Sequence, residues 1–319
     1  MSLQITIPCK ESAPIQAHLI KNQTDVDVSK LVVFINGMMA PQAAWLPVID
    51  LVKDNAQTRV DPSVAYLTYD RFGTGTTTHK DPKPADPVFG NDLNSIVSDL
   101  EAVIHQIAPS SSIPPSLVLV GNSIGCAVAR HFAARNPGRV AGLLLLDSVL
   151  ANSDFHDDIY PNPSSKDFDP SALPTGLSVE DLNKARELAF KFFSPTLPNP
   201  QGFDRRNMAQ LLPDSDGPKL VGAGGSAGAK GQQPPKVIVV GHDPDKFKDD
   251  SVTRQGMPAA SLGYVQSAWE RYNEGLTKIG DCERGVVIAK GAGHFIQVDQ
   301  PQFTAEVLGG LLAQVGWTK

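Results

Sequence analysis

Cysteine is scarce in this sequence, and its cysteines lie far apart. Cys9, Cys126 and Cys282 form no C-x-x-C pair and no metal-binding spacing, so we expect free thiols, a reducing compartment and no metal site. The sequence has no run of about 18 apolar residues, so no membrane span is expected. The stretch MSLQITIPCKESAPIQ lacks a basic start followed by an apolar core, which is not typical of a secretory signal. We therefore expect a cytoplasmic protein.

Basic clusters are also missing from the chain. It has 28 Lys and Arg against 34 Asp and Glu, which gives a formal net charge of −6. Nucleic acid and anionic membrane surfaces are therefore poor candidates as partners, and a small-molecule substrate is the better expectation. The oligomeric state is left open. A chain of 319 residues with 41% hydrophobic residues can bury a large core.

Strand-like and helix-like segments alternate along most of the chain. Continuous β-branched runs such as KLVVFI, VAYLTY and SLVLVG predict strands covered on both faces, and the segments between them have helical spacing. This alternation predicts an α/β fold with a mostly parallel sheet. The pattern stops near residue 150 and returns near 236, so we predict one core domain (1–149 and 236–319). Residues 150–235 would form a lid or cap insertion, with a flexible Gly/Ala-rich segment at 222–235.

The segment GNSIG ends one of the predicted buried strands and begins a helix. Gly121, Ser123 and Gly125 fit the G-x-S-x-G pattern, in which a sharp turn exposes the serine hydroxyl at the carboxyl edge of the sheet. Side chains two positions either side would collide with such a turn, so glycine is needed at both. Ser123 is the candidate nucleophile, and the Ile124 amide, at a helix N-terminus, is a candidate oxyanion donor.

A serine hydroxyl needs a base to take its proton. His294 follows the last predicted strand in GAGHFIQVDQP, where its loop would open at the same sheet edge as Ser123, and it is the candidate base. The other histidines are expected to be surface or satisfied core residues; they are His18, His79, His105, His131, His156 and His242.

The base needs a carboxylate to fix its tautomer and stabilise its charged form. Asp243 and Asp245 follow the penultimate strand, and the chain order Ser, Asp, His favours their loop. We prefer Asp243 because it is nearer the strand end, with Asp245 as the first alternative. Asp147, which follows LLLL at another strand end, is a further alternative.

The loop after KLVVFI supplies the other side of the predicted site. Gly37 would let the backbone approach the substrate, and the Met38 amide is the expected second oxyanion donor. The remaining candidates for substrate contact are Gly37, Met39, Asn122 and Phe192.

Four segments together resemble the α/β-hydrolase family over nearly the whole chain: FINGMM, YDRFGTGTT, GNSIG and GAGHFIQVDQP. The resemblance implies an eight-stranded, mostly parallel sheet whose second strand is antiparallel, with a cap inserted after the sixth strand. It also implies a triad of Ser123, His294 and an Asp after the penultimate strand. Asn36 stands where a His is usual in the oxyanion loop, and Cys126 where Gly is frequent.

These features predict a serine hydrolase that cleaves a small apolar ester or lactone through an acyl-enzyme, without a cofactor. The serine argues against the family's dehalogenase and epoxide hydrolase branches, which use a carboxylate nucleophile. Two alternatives stay open. The same triad could serve carbon–carbon bond hydrolysis, peptide cleavage or a lyase or cyclase step in a biosynthetic pathway, or the fold could be a non-catalytic ligand-binding module.

Overall fold

A computed structural model describes residues 1–22, 28–55, 59–107, 115–223 and 233–319. One eight-stranded sheet has the order β1-β2-β4-β3-β5-β6-β7-β8. The strand β2 runs antiparallel to both β1 and β4, and the later neighbours pair in parallel. This confirms the expected fold class. The strands are β1 Ser2–Ile5, β2 Ile15–Lys21, β3 Lys30–Ile35, β4 Val64–Tyr69, β5 Ser116–Asn122, β6 Val140–Leu146, β7 Lys236–His242 and β8 Val286–Ala289.

Helices cover both faces of this sheet. They are α1 Leu46–Asp54, α2 Leu93–Ile107, α3 Ile124–Arg135, α4 Val179–Phe193, α5 Met208–Leu211, α6 Pro244–Gln255, α7 Leu262–Leu276, α8 Ile296–Asp299 and α9 Pro301–Gln314. The polar helix α6 was not predicted, because its sequence PDKFKDDSVTRQ has few apolar residues and therefore no apolar face to detect. None of the helices in the described ranges is long and apolar enough to cross a membrane.

Alternate residues of each central strand enter different cores. In β3, Leu31, Val33 and Ile35 pack with α2 and α3, whereas Val32 and Phe34 pack with α1 and α9. Successive side chains of a strand point to opposite faces, so a strand buried on both faces must be apolar at every position. This explains why the continuous apolar runs of the sequence were reliable indicators of strands.

The parallel register brings four chain segments to one edge of the sheet. Strands β5, β6, β7 and β8 are consecutive neighbours, so the residues that follow them emerge side by side. Ser123 follows β5, Asp147 follows β6, Asp243 follows β7, and the loop with His294 follows β8. Open α/β sheets bind their ligands at this carboxyl edge.

The chain between β6 and β7 contains α4, α5 and short helical turns. Phe155, in one of these turns, stacks on Phe193 of α4 at 4.7 Å and meets Trp269 of α7 edge-on at 5.7 Å. The Ser178 hydroxyl accepts from the Asp181 amide and caps α4. A lid at 150–235 stays a prediction, and most of its predicted flexible segment, residues 224–232, lies outside the described residues.

Close backbone contact explains why the second residue of α3, Gly125, must be a glycine. A Cβ atom built on Gly125 would lie 2.2 Å from the Ile35 carbonyl oxygen at the end of β3. A side chain here would therefore push α3 away from the sheet.

We predict that G125A lowers the free energy of unfolding by about 2–3 kcal/mol, because its methyl group meets backbone that cannot move aside. Gly310 is the matched control, since a Cβ at this helix position in α9 has nothing within 4 Å. G310A should stabilise the protein by about 0.5–1 kcal/mol through helix propensity. Chemical denaturation followed by circular dichroism measures both changes. Equal stability of G125A and wild type would show that the close contact between Gly125 and the end of β3 does not require a glycine.

Candidate active site

The turn between β5 and α3 holds Ser123 in a strained backbone conformation. Ser123 has φ 56° and ψ −124°, a positive φ that side chains rarely adopt. Its amide donates to the Leu146 carbonyl at 3.1 Å, which fixes the turn against β6. A Cβ on Gly121 would lie 2.7 Å from the Gly125 carbonyl group, so both glycines are sterically required. The serine is half-buried and lines a cavity.

This cavity has a volume of about 260 Å³ and contains the predicted nucleophile, the predicted base and both predicted oxyanion residues. Met38 and Ile124 line it beside Ser123 and His294, as expected. Most of the remaining lining is apolar. It includes Val149, Phe155, Phe193, Met257, Leu262, Val265, Phe247 and Trp269. Charged side chains also reach it; they are Arg205, Asp250, Arg254 and Asp299.

Asp147 is the carboxylate that contacts the predicted base. His294 Nδ1 donates to Asp147 Oδ2 at 2.6 Å, and this leaves Nε2 as the ring nitrogen available to Ser123. The other carboxylate oxygen, Oδ1, accepts from His242 Nδ1 at 2.7 Å. Asp147 is fully buried, and burial alone would raise its pKa. The two imidazoles outweigh burial and hold the pKa of Asp147 below its ordinary value.

The predicted pairing of His294 with Asp243 is therefore wrong, and so is the alternative with Asp245. Asp243 is the N-cap of α6, where Oδ1 accepts from the Asp245 amide at 3.0 Å and Oδ2 from the Gly291 amide at 2.9 Å. These amides, Gly291 first, hold its pKa below the ordinary value. Asp245 is exposed in the first turn of α6. The sequence did contain an indication that Asp243 caps a helix. Asp is a common N-cap residue, and Pro244 follows it at the first helical position, where proline is favoured.

Asn122 has a structural position rather than the predicted place in the substrate pocket. Its side chain is fully buried, and Nδ2 donates to the Leu146 carbonyl at 3.1 Å and the His294 carbonyl at 2.9 Å. Its Oδ1 accepts from Gln297 Nε2 at 3.3 Å. Asn122 thus ties the strand before the nucleophile to the loop of the base.

The loop at Asn36–Gly37 is held by a buried arginine that sequence reasoning missed. Arg71 donates through Nη1 to the Asn36 carbonyl at 2.8 Å and through Nη2 to the Gly37 carbonyl at 2.7 Å. These two bonds fix the backbone immediately before Met38, the expected second oxyanion donor, which lines the cavity. Trp45 Nε1 donates to Asn36 Oδ1 at 2.7 Å and so fixes the Asn36 side chain.

Two further predicted contact residues lie outside the pocket. Met39 has φ 62°, its amide donates to Gln201 Oε1 at 2.9 Å, and its side chain is about half exposed. Phe192 is 39% exposed and meets Phe193 edge-on at 6.2 Å. Phe193 takes the predicted place, because helical geometry turns adjacent residues of α4 to different faces. Gly37 does not line the cavity either, but it lies close to the nucleophile turn, since a Cβ there would lie 3.3 Å from Ser123 Cβ.

Two other cavities are larger than the Ser123 cavity, and the described ranges hold no metal-binding cluster. A cleft of about 470 Å³ lies between Asn152 and Arg271, and one of about 350 Å³ is lined by His242, Gln266 and Trp269. Neither Ser123, His294 nor Asp147 lines either of them. No group of three or more His, Cys, Asp or Glu side chains in the described part of the chain could hold a metal ion. The chemistry-bearing residues therefore point to the smaller cavity.

We predict that D147N lowers the rate at which Ser123 reacts with a fluorophosphonate by on the order of 10³–10⁴-fold, because the base loses the charge that holds its tautomer. D243N is the matched control, and its rate should stay within a few-fold of wild type. Stopped-flow or gel-based labelling, with circular dichroism to check folding, measures both rates. A loss in D243N as large as that in D147N would overturn the assignment of Asp147.

Comparison with known proteins agrees with this architecture. A family model described as the alpha/beta hydrolase family matches residues 32–307. A thermophilic esterase from Thermogutta terrifontis is similar in structure, with a TM-score of 0.51, 16% identity and 99% of each chain covered. The ancestral haloalkane dehalogenase AncHLD2 has a TM-score of 0.51 and 18% identity, with 99% of each chain covered.

The epoxide hydrolase CorEH is also similar, with a TM-score of 0.52, 16% identity and 99% of each chain covered. At these identities the solved structures establish the fold alone. The search of curated proteins gave no significant match. The family match covers most of the chain, and the sheet order and nucleophile turn agree with it. This chain belongs to the alpha/beta hydrolase family.

Proposed function

We propose that this protein is a serine hydrolase that cleaves small, apolar carboxylic esters or lactones through an acyl-enzyme. The proposal depends on the arrangement of three side chains. Ser123 and His294 line a single apolar cavity, and His294 is held from behind by the buried Asp147 carboxylate at 2.6 Å. A nucleophile, a base and an orienting acid in this order are the requirements of acyl transfer.

In the first half of the proposed reaction, Ser123 Oγ attacks the ester carbonyl carbon while His294 Nε2 takes the hydroxyl proton. The carbonyl electron pair moves onto oxygen, and the amides of Met38 and Ile124 stabilise the oxyanion. Asp147 stabilises the imidazolium that forms. The tetrahedral intermediate then collapses, the C–O bond to the alcohol breaks, and His294 returns its proton to the leaving oxygen.

In the second half, water replaces the alcohol. His294 takes a proton from the water as its oxygen attacks the acyl carbon, and the same two amides stabilise the second oxyanion. Collapse releases the carboxylic acid and returns the proton to Ser123. Every step uses side chains, backbone amides and water of this site, so the proposed reaction requires no metal or organic cofactor.

The size and lining of the cavity favour a small apolar substrate. Its volume of about 260 Å³ lies below the range of about 300–1,000 Å³ that is common for ligand pockets. Phe155, Phe193 and Trp269 form an aromatic wall, with ring centroids 4.7 and 5.7 Å from Phe155. Apolar acyl chains would gain about 0.8 kcal/mol for each methylene buried there, until the cavity is full.

The serine nucleophile also favours ester chemistry over the other activities named among the similar structures. Dehalogenases and epoxide hydrolases of this family attack with a carboxylate, whereas residue 123 is a serine. Of the three similar structures, the esterase from Thermogutta terrifontis is the one whose named activity agrees with a serine at this position.

We predict that a fluorophosphonate labels the folded protein at Ser123 alone, because among the serines in the described ranges this one combines the turn geometry with a base. Peptide mass spectrometry identifies the site, and a panel of p-nitrophenyl esters should show faster turnover of short acyl chains than of long ones. S123A should lose both labelling and turnover. S148A is the matched control, since the buried Ser148 donates to the Val149 carbonyl at the same sheet edge. Labelling at any other serine, or none at all, would contradict the proposal.

A further inference from the structure

His242 makes two hydrogen bonds that together determine its charge. Its Nδ1 lies 2.7 Å from Asp147 Oδ1, and its Nε2 lies 2.8 Å from Gln266 Oε1. The orientation of the Gln266 amide is fixed, because its Nε2 donates to the Glu270 carboxylate at 3.0 Å. A carboxylate and an amide oxygen only accept hydrogen bonds. Both ring nitrogens of His242 therefore face acceptors, and this geometry is satisfied when both nitrogens carry protons.

The surroundings of this ring stabilise a positive charge. His242 is almost completely buried and stacks on Phe247 of α6, with centroids 4.1 Å apart, while Trp269 of α7 closes one edge at 5.3 Å. Burial lowers the pKa of His242, but the charge and hydrogen bond of Asp147 outweigh burial and raise it. A cation over an aromatic face gains further electrostatic stabilisation.

Each carboxylate oxygen of Asp147 therefore accepts a hydrogen bond from a different imidazole, and the two imidazoles have different roles. Oδ2 accepts from His294, which must lose and gain a proton in each cycle, whereas Oδ1 accepts from His242, which the pocket does not include. The His242 amide also lies 3.3 Å from Oδ1, so the end of β7 fixes this oxygen twice. His242 does not line the cavity, and its hydrogen bonds connect it to the base through Asp147.

We propose that His242 is a positively charged positioning residue, which fixes Asp147 and partly cancels the charge that this carboxylate directs at the base. This inference rests on the proposed function. In an ordinary triad the full carboxylate charge favours the imidazolium form of the base. Here the His242 cation weakens that effect, so the site stays active down to lower pH.

Other charged groups face the two rings from the packed elements. Around His242 they are Asp147 from β6, Asp243 at the start of α6 and Glu270 behind Gln266 on α7. The loop of His294 faces two carboxylates. Asp299 accepts from the Gly293 amide at 2.8 Å, and a Cβ on Gly293 would lie 2.6 Å from Asp250.

The Asp250 carboxylate is already neutralised, because Lys246 and Arg254 pair with it at 2.5 and 3.3 Å. Among the basic groups described around Asp147, His242 is the one that contacts Oδ1, the carboxylate oxygen that His294 does not contact. The charge that acts on His294 through Asp147 is therefore set by His242.

We predict that H242N moves the acid limb of the pH profile of kcat/KM upward by about one pH unit, with a plateau within ten-fold of wild type. Asparagine places a neutral donor near the former Nδ1 and so separates the loss of charge from the loss of the hydrogen bond. Q266M removes the acceptor on Nε2 and should move the limb in the same direction by a smaller amount. H131N is the matched control for replacing a buried histidine, since His131 bonds Asn94 on α2 at 2.7 Å, and its limb should not move.

Long-range ¹H–¹⁵N spectra of histidine-labelled wild-type protein test the charge without a variant. We expect His242 to show two protonated ring nitrogens at pH 7.5. A single protonated nitrogen on His242, or a limb that stays in place or moves downward in H242N, would overturn the inference. Lack of any reaction at Ser123 in wild type would instead contradict the proposed function, and the spectra would still report the charge of His242.

Discussion

The buried Asp147 carboxylate is the charge around which this site is organised. A carboxylate without solvent is costly unless charged or hydrogen-bonding partners surround it, and Asp147 has an imidazole on each oxygen. One partner comes from the end of β7 and the other from the loop after β8. Only a parallel sheet in which β6, β7 and β8 are neighbours brings these three groups to one edge. The strand order thus places both the base His294 and the His242 cation beside the single negative charge of Asp147.

The nucleophile is tied to this arrangement through backbone contacts. Ser123 adopts a conformation that costs about 1–3 kcal/mol, which the surrounding structure must supply. Gly125 lets α3 approach the end of β3, and Asn122 bonds the carbonyls of Leu146 and His294. The same residues that enforce the turn therefore also position the loop of the base. We infer that changes at Asn122 would affect reactivity without any contact with substrate.

Much of this arrangement could be predicted from the sequence. Apolar runs identified the strands because these strands are buried on both faces, and two glycines around Ser123 identified the turn because sterics require them. His294 was predicted because its loop follows a strand that ends at the same edge. These predictions depend on local patterns, which the sequence displays directly.

The acid was predicted wrongly because chain order does not determine which side chain turns inward. Asp147 and Asp243 both follow strands, and both satisfy the order Ser, Asp, His. Helix α6 begins at Pro244 and uses Asp243 as its cap, so only Asp147 remains to face His294. The partnership of His242 with Asp147 joins residues 95 positions apart, and no local pattern reveals it. Such long-range pairings depend on the register of β6 and β7.

The decisive measurement is a crystal structure of the protein after reaction with a fluorophosphonate. We expect phosphorus bonded to Ser123 Oγ, with a phosphoryl oxygen about 3 Å from the Met38 and Ile124 amides. We also expect His294 Nδ1 and His242 Nδ1 both to remain on Asp147. A phosphoryl oxygen turned away from these amides, or His294 paired with Asp243 in place of Asp147, would contradict the proposed site.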